Sequence, residues 1–146
     1  MTIDARWSVL TDDGEERGMN QLIRDPEQVP ELVGLLADPA ADLARLIHRD
    51  RPWWDESRRF LDHDVYATVQ DGFGYLSHQD STRDKAYPVG DPSSEGCEFD
   101  DDEFPPGSGL PLEAFTLAIS EFLRTAERPT AVTWREFFVG PSSSGW

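Results

Sequence analysis

The clearest alternation of apolar and polar residues lies in the middle of the chain. Residues 65–70 alternate with a period of two, which is typical of a half-buried β-strand, and residues 73–78 follow as a second predicted strand. Asp71-Gly72 connects them, and a two-residue Asp-Gly connection favours a β-hairpin because glycine adopts positive φ at little cost. The pattern predicts an antiparallel hairpin with one apolar face formed by Val65, Ala67 and Val69.

Further strands are predicted on both sides of this hairpin, at residues 3–10, 83–89, 96–99 and 131–138. An acidic turn at residues 11–14 ends the first of them. Residues 43–47 are compatible with a strand or a short helix. We favour a strand because Arg51-Pro52 soon interrupts the segment.

Two segments have the three- and four-residue spacing of apolar residues that predicts an amphipathic helix. The first begins at Asp25-Pro26, an N-cap followed by proline in the first turn, and stops at Asp38-Pro39. The second begins at Pro111 and stops at Arg128-Pro129. Its apolar face comprises Leu112, Phe115, Ala118, Ile119, Phe122, Leu123 and Ala126.

Strands, a central hairpin, a helix and a closing strand together predict an α+β fold, a mainly antiparallel sheet with about two packed helices. A chain of 146 residues matches the usual size of a single domain. We expect this domain to cover residues 1–139. Residues 140–146 are expected to form a flexible tail.

The net charge of −16 is the strongest feature of the composition. It disfavours direct binding to nucleic acid or to an anionic membrane surface, because both would repel the chain. A basic protein partner would instead be attracted, in a manner that depends on salt. A large charge also keeps a protein soluble, so acidity alone leaves both interpretations open.

The sequence has one cysteine, Cys97, so neither an intramolecular disulfide nor a zinc site built on cysteine pairs is expected. The acidic N-terminal stretch does not resemble a signal peptide, and no apolar run has the length of a membrane span. These observations predict a cytoplasmic protein without a cofactor.

No catalytic motif is present in the sequence. The histidines (His48, His63 and His78) lack metal-ligand spacing, and no serine lies in a G-x-S-x-G elbow. His63 stands between two aspartates and is compatible with an acid–base or metal site in a small hydrolase. We favour the alternative that it is a solvated residue in the turn before a strand. The sequence therefore predicts that the protein is not an enzyme.

An acidic segment without lysine or arginine is the main candidate for a binding site. Its carboxylates are Asp91, Glu95, Glu98, Asp100, Asp101, Asp102 and Glu103. The spacing differs from that of a calcium loop, and adjacent acids do not all point at one ion, so no metal site is expected. Two alternatives remain, a solvated loop and a negative surface that contacts arginine and lysine of a partner. We predict the second.

Trp53-Trp54 is a second candidate for partner binding, because tryptophan is enriched at interface hot spots. Neighbouring side chains of a strand point to opposite faces. We therefore expect one tryptophan to be buried and the other, taken here as Trp54, to be exposed to a partner.

The C-terminal half contains an ordered set of short motifs: Phe104-Pro105, Leu110-Pro111, Phe122-Leu123-Arg124-Thr125 at the helix end, Arg128-Pro129, Val132 and Trp134. This order resembles the first numbered immunity-protein family of bacterial polymorphic toxin systems. Gly72, Gly74 and Leu76 fit the central strands of that family, so the similarity covers about residues 65–134. Family members often have glycine between the helix-end threonine and Arg-Pro, where this sequence has Ala126-Glu127.

The resemblance implies an immunity protein that protects the producing cell by binding a cognate toxin. In GC-rich genomes such proteins are often paired with nucleic-acid deaminases, including DNA cytosine deaminases. The implied partner is therefore a basic, zinc-dependent toxin domain that is blocked at its active-site groove. The present sequence lacks the zinc-binding H-x-E and P-C-x-x-C elements of a deaminase. The alternative function is a regulatory or scaffolding module with another cellular protein as its partner.

Overall fold

An antiparallel β-sheet forms the centre of the molecule, and two helices pack on one of its faces. The computed structural model describes residues 1–53, 61–100 and 102–136. Its strands are β1 (Ile3–Leu10), β2 (Glu16–Ile23), β3 (Ala44–His48), β4 (His63–Gln70), β5 (Phe73–Asp80), β6 (Arg83–Pro88), β7 (Cys97–Glu98), β8 (Glu103–Phe104), β9 (Leu110–Pro111) and β10 (Trp134–Glu136). Its helices are α1 (Val29–Leu36), which follows a 3-10 turn at Pro26–Gln28, and α2 (Leu112–Thr125). Neither of these helices is long and apolar enough to cross a membrane.

The strands of the main sheet are arranged in the order β10-β6-β5-β4-β3-β1-β2, and β9 pairs with the first residues of β5. The pairs are antiparallel throughout. The short strands β7 and β8 form a separate antiparallel hairpin. This arrangement confirms the predicted α+β class, with a mainly antiparallel sheet and two helices.

The predicted central hairpin is formed by β4 and β5. Its turn residues Asp71 and Gly72 have φ angles of 51° and 81°, the two positive values that a type I′ turn requires. The alternation in β4 buries Val65, Ala67 and Val69 against the helices, as predicted. The expected strands β1, β3 and β6 and both expected helices are also present.

Two parts of the sheet differ from the prediction. Strand β2 lies in a segment for which the residue pattern predicts no element, because it shows no regular apolar alternation. It forms because each of its residues pairs with β1, from Ile3 opposite Ile23 to Leu10 opposite Glu16. The last strand begins at Trp134 rather than at residue 131. Its predicted final residues and the expected tail, residues 137–146, lie outside the described residues.

The main core lies between the sheet and the two helices. Helix and sheet approach closely at Gly74 on β5, where an added Cβ would lie 2.1 Å from the ring of Phe115. Glycine is therefore required at this position, and the contact sets how α2 lies across β5. The predicted apolar face of α2 is confirmed by its buried residues, which are Phe115, Ala118, Ile119, Phe122 and Leu123.

The C-terminal end of α2 is held by side chains from outside the helix. His48 donates from Nε2 to the carbonyl oxygen of Leu123 (2.8 Å), and Arg51 donates from Nη1 to that of Ala126 (2.8 Å). These donors satisfy carbonyl groups that a helix end leaves without partners. Ala126 itself has a φ of 60°, in the left-handed region where a Cβ is unfavourable. Ala126 lies in the stretch, between the helix-end threonine and Arg-Pro, where members of the family that the sequence resembles often have glycine.

We expect Ala126→Gly to stabilise the protein by roughly 0.5–1 kcal/mol, because glycine adopts left-handed backbone without steric cost. Urea denaturation measures the change in the free energy of unfolding. Ala37→Gly is the matched control, since Ala37 is the exposed C-cap of α1 with an ordinary φ of −76°. There, glycine should leave stability unchanged or lower it slightly. Equal effects of the two substitutions would contradict the conformational explanation.

Candidate partner-binding surface

The sheet face opposite the helices is the candidate functional surface. A row of directly paired residues crosses it, from Asn20 on β2 through Arg6, Arg45 and Tyr66 to Ser77 on β5. Residues that are opposite one another in antiparallel strands share a face. The acidic segment covers the Ser77 end of this row, and a groove lined with arginines lies at the Arg6 end.

The acidic segment packs on β5 and β6 through a small second core. The rings of Tyr75 and Tyr87 lie 5.8 and 5.9 Å from the ring of Phe104 on β8, and all three are buried. The backbone N–H of Gly96 donates to the hydroxyl of Tyr75 (3.1 Å). The segment is therefore a fixed part of the structure rather than a solvated loop.

Asp102 fastens the acidic segment from inside. Its buried carboxylate accepts hydrogen bonds from Ser77 Oγ (2.5 Å) and Tyr87 OH (2.8 Å), and Lys85 Nζ lies 2.7 Å from Oδ1. The N–H of Glu103 also donates to it (2.8 Å). A carboxylate tolerates burial when such donors replace its water. The expectation that Asp102 points toward a partner is corrected by this burial, because the side chain holds the segment on the sheet.

The outward carboxylates of the segment, which we term the acidic ridge, are the exposed residues Glu95, Glu98, Asp100 and Glu103. Glu98 and Glu103 lie directly opposite one another in the β7–β8 hairpin. Like charges in this relation destabilise a strand pair. Asp91 caps the turn that begins the segment, and hydrogen bonds from the hydroxyl and the N–H of Ser93 lower its pKa.

Two other predicted partner-binding residues, Asp101 and Trp54, lie outside the described residues. The expectation that Trp53 is the buried member of the Trp53-Trp54 pair is wrong. Trp53 is 44% exposed, because it forms an isolated antiparallel bridge with Leu61 instead of packing in the core. Trp53 lines the groove at the other end of the face, so an aromatic side chain is available there.

The groove, of about 550 Å³, is the surface that sequence reasoning missed. We term it the arginine groove and define it by Arg6, Arg45, Arg49, Asp4, Asp64 and Trp53. These residues come from β1, β3, β4 and the loop after β3, and no local motif joins them. The available indication was that Arg6 and Arg45 occupy polar positions in the predicted strands.

Buried Asp4 positions two of the arginines of the arginine groove. Its carboxylate is 2% exposed and accepts hydrogen bonds from Arg6 Nη2 (2.8 Å), Arg49 Nη2 (3.1 Å) and the amide of Asn20. Burial alone would raise the pKa of Asp4, but the hydrogen bonds from the arginines outweigh burial and hold the pKa below its usual value. Both arginine side chains remain more than half exposed. Asp4 therefore holds two guanidinium groups at the surface.

The prediction that His63 is a solvated turn residue is wrong. His63 begins β4, is 2% exposed, and continues the buried face of Val65. With His48 and His78 it surrounds the ring of Phe122. The centroid distances from Phe122 are 5.3 Å for His48, 6.4 Å for His63 and 5.9 Å for His78. The histidines are part of the core at the C-terminal end of α2.

Hydrogen bonds assign the proton of the His63 ring. Its Nε2 accepts from the N–H of His48 (2.9 Å), so its Nδ1 donates to Asp62 (2.9 Å). Burial lowers the pKa of His63 despite the neighbouring Asp62. Both ring nitrogens are thus engaged in structural contacts, which leaves neither available to a substrate.

The described residues contain no group of three or more His, Cys, Asp or Glu side chains that could hold a metal ion. Burial, with Asp102 nearby, raises the pKa of the Cys97 thiol to about 12. A thiol that remains protonated at neutral pH is a poor nucleophile. What this face presents is charge, in the carboxylates of the acidic ridge and the guanidinium groups of the arginine groove.

We expect the free energy of unfolding to fall as the pH decreases from about 6.5, the ordinary pKa of histidine, toward 4. Burial, together with Arg128 and Arg51, lowers the pKa of His78 to about 4 in the folded protein. The unfolded chain therefore binds a proton in this range that the folded protein does not. The complete effect is on the order of 3 kcal/mol.

Urea denaturation of wild type and His78→Asn between about pH 7 and 5 tests this expectation. The asparagine variant lacks the titrating group, so its stability should depend less steeply on pH. Lowered carboxylate pKa values act mainly below about pH 4, outside this window. Identical slopes for the two proteins would show that His78 is not the responsible group.

Comparison with known proteins bears on what this face recognises. The sequence matches the family described as Immunity protein Imm1 over residues 17–136. The match includes the acidic ridge and the described elements from β2, without its first residue Glu16, to β10, and it confirms the resemblance seen in the C-terminal motifs. No curated protein matches the sequence. The chain belongs to the Imm1 family of immunity proteins, and membership of this family implies protection against a toxin.

Proposed function

We propose that the protein neutralises a cognate toxin by stoichiometric binding, with the acidic ridge seated against the active-site groove of the toxin. The observation that carries this proposal is the ridge itself, in which Glu98 and Glu103 are opposed on a hairpin with only two residues per strand. The chain holds these like charges together at a cost, and a basic partner would relieve it.

The anchoring of the ridge supports binding rather than mere solubility. A loop that only keeps a protein soluble needs no defined position. Here Asp102 and the Phe104 ring fix the segment on β5 and β6, so the exposed carboxylates are presented in one arrangement. Charged groups held in place before binding lose less freedom when they meet arginine or lysine of a partner.

We further propose that the toxin is a nucleic-acid deaminase that acts on cytosine in DNA. Such an enzyme needs a basic groove because its substrate carries a phosphate backbone. Carboxylates of the ridge would occupy the positions of phosphates and exclude DNA without a contact to the zinc. The inhibitor then acts by occupancy rather than by catalysis, and it acts in the cytoplasm of the producing cell.

Replacement of Glu98, Asp100 and Glu103 by lysine should slow association with the toxin encoded beside this protein by about tenfold or more. The reason is that the ridge attracts the basic groove before contact, so its reversal also weakens the dependence of the rate on salt. Stopped-flow mixing at several salt concentrations measures both quantities. When the deaminase is titrated with wild-type protein, its activity should be fully inhibited at equal concentrations of the two proteins.

The matched control replaces Glu27, Glu31 and Glu113, exposed acids on the helical side, by lysine. It changes the net charge by the same amount. Because these glutamates lie in the first turns of helical elements, urea denaturation first checks that both triple variants are folded. If both triple variants associate at the same rate, the ridge is not the contact surface. If wild type neither binds nor inhibits that toxin, the proposed pairing is wrong, and a different cellular partner becomes the better explanation.

A further inference from the structure

The arginine groove is a basic depression in a protein whose net charge is −16. Among the described residues, four arginines line it, against two carboxylates, Asp4 and Asp64. One of the four, Arg51, is turned inward and paired with Asp62 beneath the surface (2.8 Å). Three arginines therefore face the groove with two acids between them, and the surface keeps a positive charge.

Two of these arginines oppose each other in the sheet. Arg6 on β1 is directly across from Arg45 on β3, and both side chains are more than a third exposed. Opposed like charges cost stability, as they do in the acidic ridge. Asp4 and Asp64 offset part of the repulsion without neutralising it. A local rule broken in this way is typical of a functional site.

Donors of the three guanidinium groups remain available to a ligand. Arg49 donates to Asp4 through Nη2, and Arg6 through Nε and Nη2. Arg45 donates through Nη2 to Asp64 (2.8 Å) and to the carbonyl oxygen of His63 (3.4 Å), and its Nη1 makes no hydrogen bond among the described residues. Guanidinium groups with free edges bind carboxylates in a bidentate manner. Trp53 adds an exposed aromatic surface of the kind found at interface hot spots.

We propose that the arginine groove is a second contact surface for the toxin and binds a carboxylate side chain on a loop beside the toxin's basic groove. This inference rests on the proposed function. The position of the groove favours a protein occupant, because Arg45 and Ser77, which lies under the acidic segment, share one face and are two strands apart. Two strand spacings are about 10 Å, well within the width of one interface.

The negative charge of the whole protein does not prevent this contact. Charges are screened over a Debye length of about 8 Å at physiological salt, so a carboxylate in the groove is affected mainly by the nearby arginines. An interface with a negative ridge and a positive groove also fixes the orientation of the partner, since a reversed complex would place like charges together. The groove thereby determines which toxins fit.

The experiment compares Arg45→Gln/Arg49→Gln with wild type in complex with the toxin encoded beside it. Arg6 is retained because it holds the buried carboxylate of Asp4. We expect at least tenfold faster dissociation, measured by biolayer interferometry. The free energy of unfolding should fall only slightly, because Arg6 and Asn20 still donate to Asp4 when Arg49 is replaced. The matched control is Arg17→Gln/Arg124→Gln, two exposed arginines, on the edge strand β2 and on helix α2. It should dissociate like wild type.

Each outcome separates the inference from the proposed function. If wild type binds the toxin and the groove variant dissociates at the same rate, the groove is not a contact and the function stands. If wild type does not bind, the function fails and the inference fails with it. Titration with inorganic phosphate at constant ionic strength tests the alternative that the groove binds a free anion instead of a toxin carboxylate. Stoichiometric phosphate binding by wild type that the groove variant loses, without an effect on toxin dissociation, would overturn the proposal.

Discussion

The attachment of the acidic segment to the sheet depends on one buried carboxylate, that of Asp102. Its donors come from β5, from β6 and from the segment itself, so a single group joins three parts of the chain. Strand β5 is in turn positioned from its other face, where Phe115 packs against Gly74. Helix, strand and acidic segment are therefore stacked in three layers over this half of the sheet. Over the other half, the described helices lie on one face and the arginine groove lies on the opposite face.

Much of the fold could be predicted because it is encoded by local periodicity. The Asp71-Gly72 turn and the spacing of apolar residues in α2 specify their elements without any knowledge of neighbours. Strand β2 could not be found in this way, since its residues form a strand only through pairing with β1. The same limit applies to the start of the final strand. Where pairing rather than residue type determines structure, a single sequence contains little information.

The acidic segment could be located from the sequence, but the orientation of its side chains could not, and its role in partner binding stays a prediction. Composition located the acidic segment, but adjacent aspartates look alike in a sequence, and only the packing shows that Asp102 points inward. His63 shows the same limit, since flanking acids suggested solvent and the register of β4 buried it. The arginine groove required knowledge of which strands are neighbours. Arg6 and Arg45 are distant in the chain and become opposed only in the order β3-β1.

The acidic segment contains exposed carboxylates and one buried carboxylate, and this difference has a consequence for evolution. Exposed positions such as Glu98 and Asp100 have no role in the core, so they can change as a toxin changes, and the fold tolerates each change. Asp102 has less freedom, because a replacement that lacks side-chain acceptors would leave buried donors unpaired. Under the proposed function, selection by a diverging toxin would thus alter the exposed carboxylates of the ridge while Asp102 stays constant. Close relatives that recognise different toxins should differ at exposed positions such as Glu98 and Asp100 and should retain Asp102.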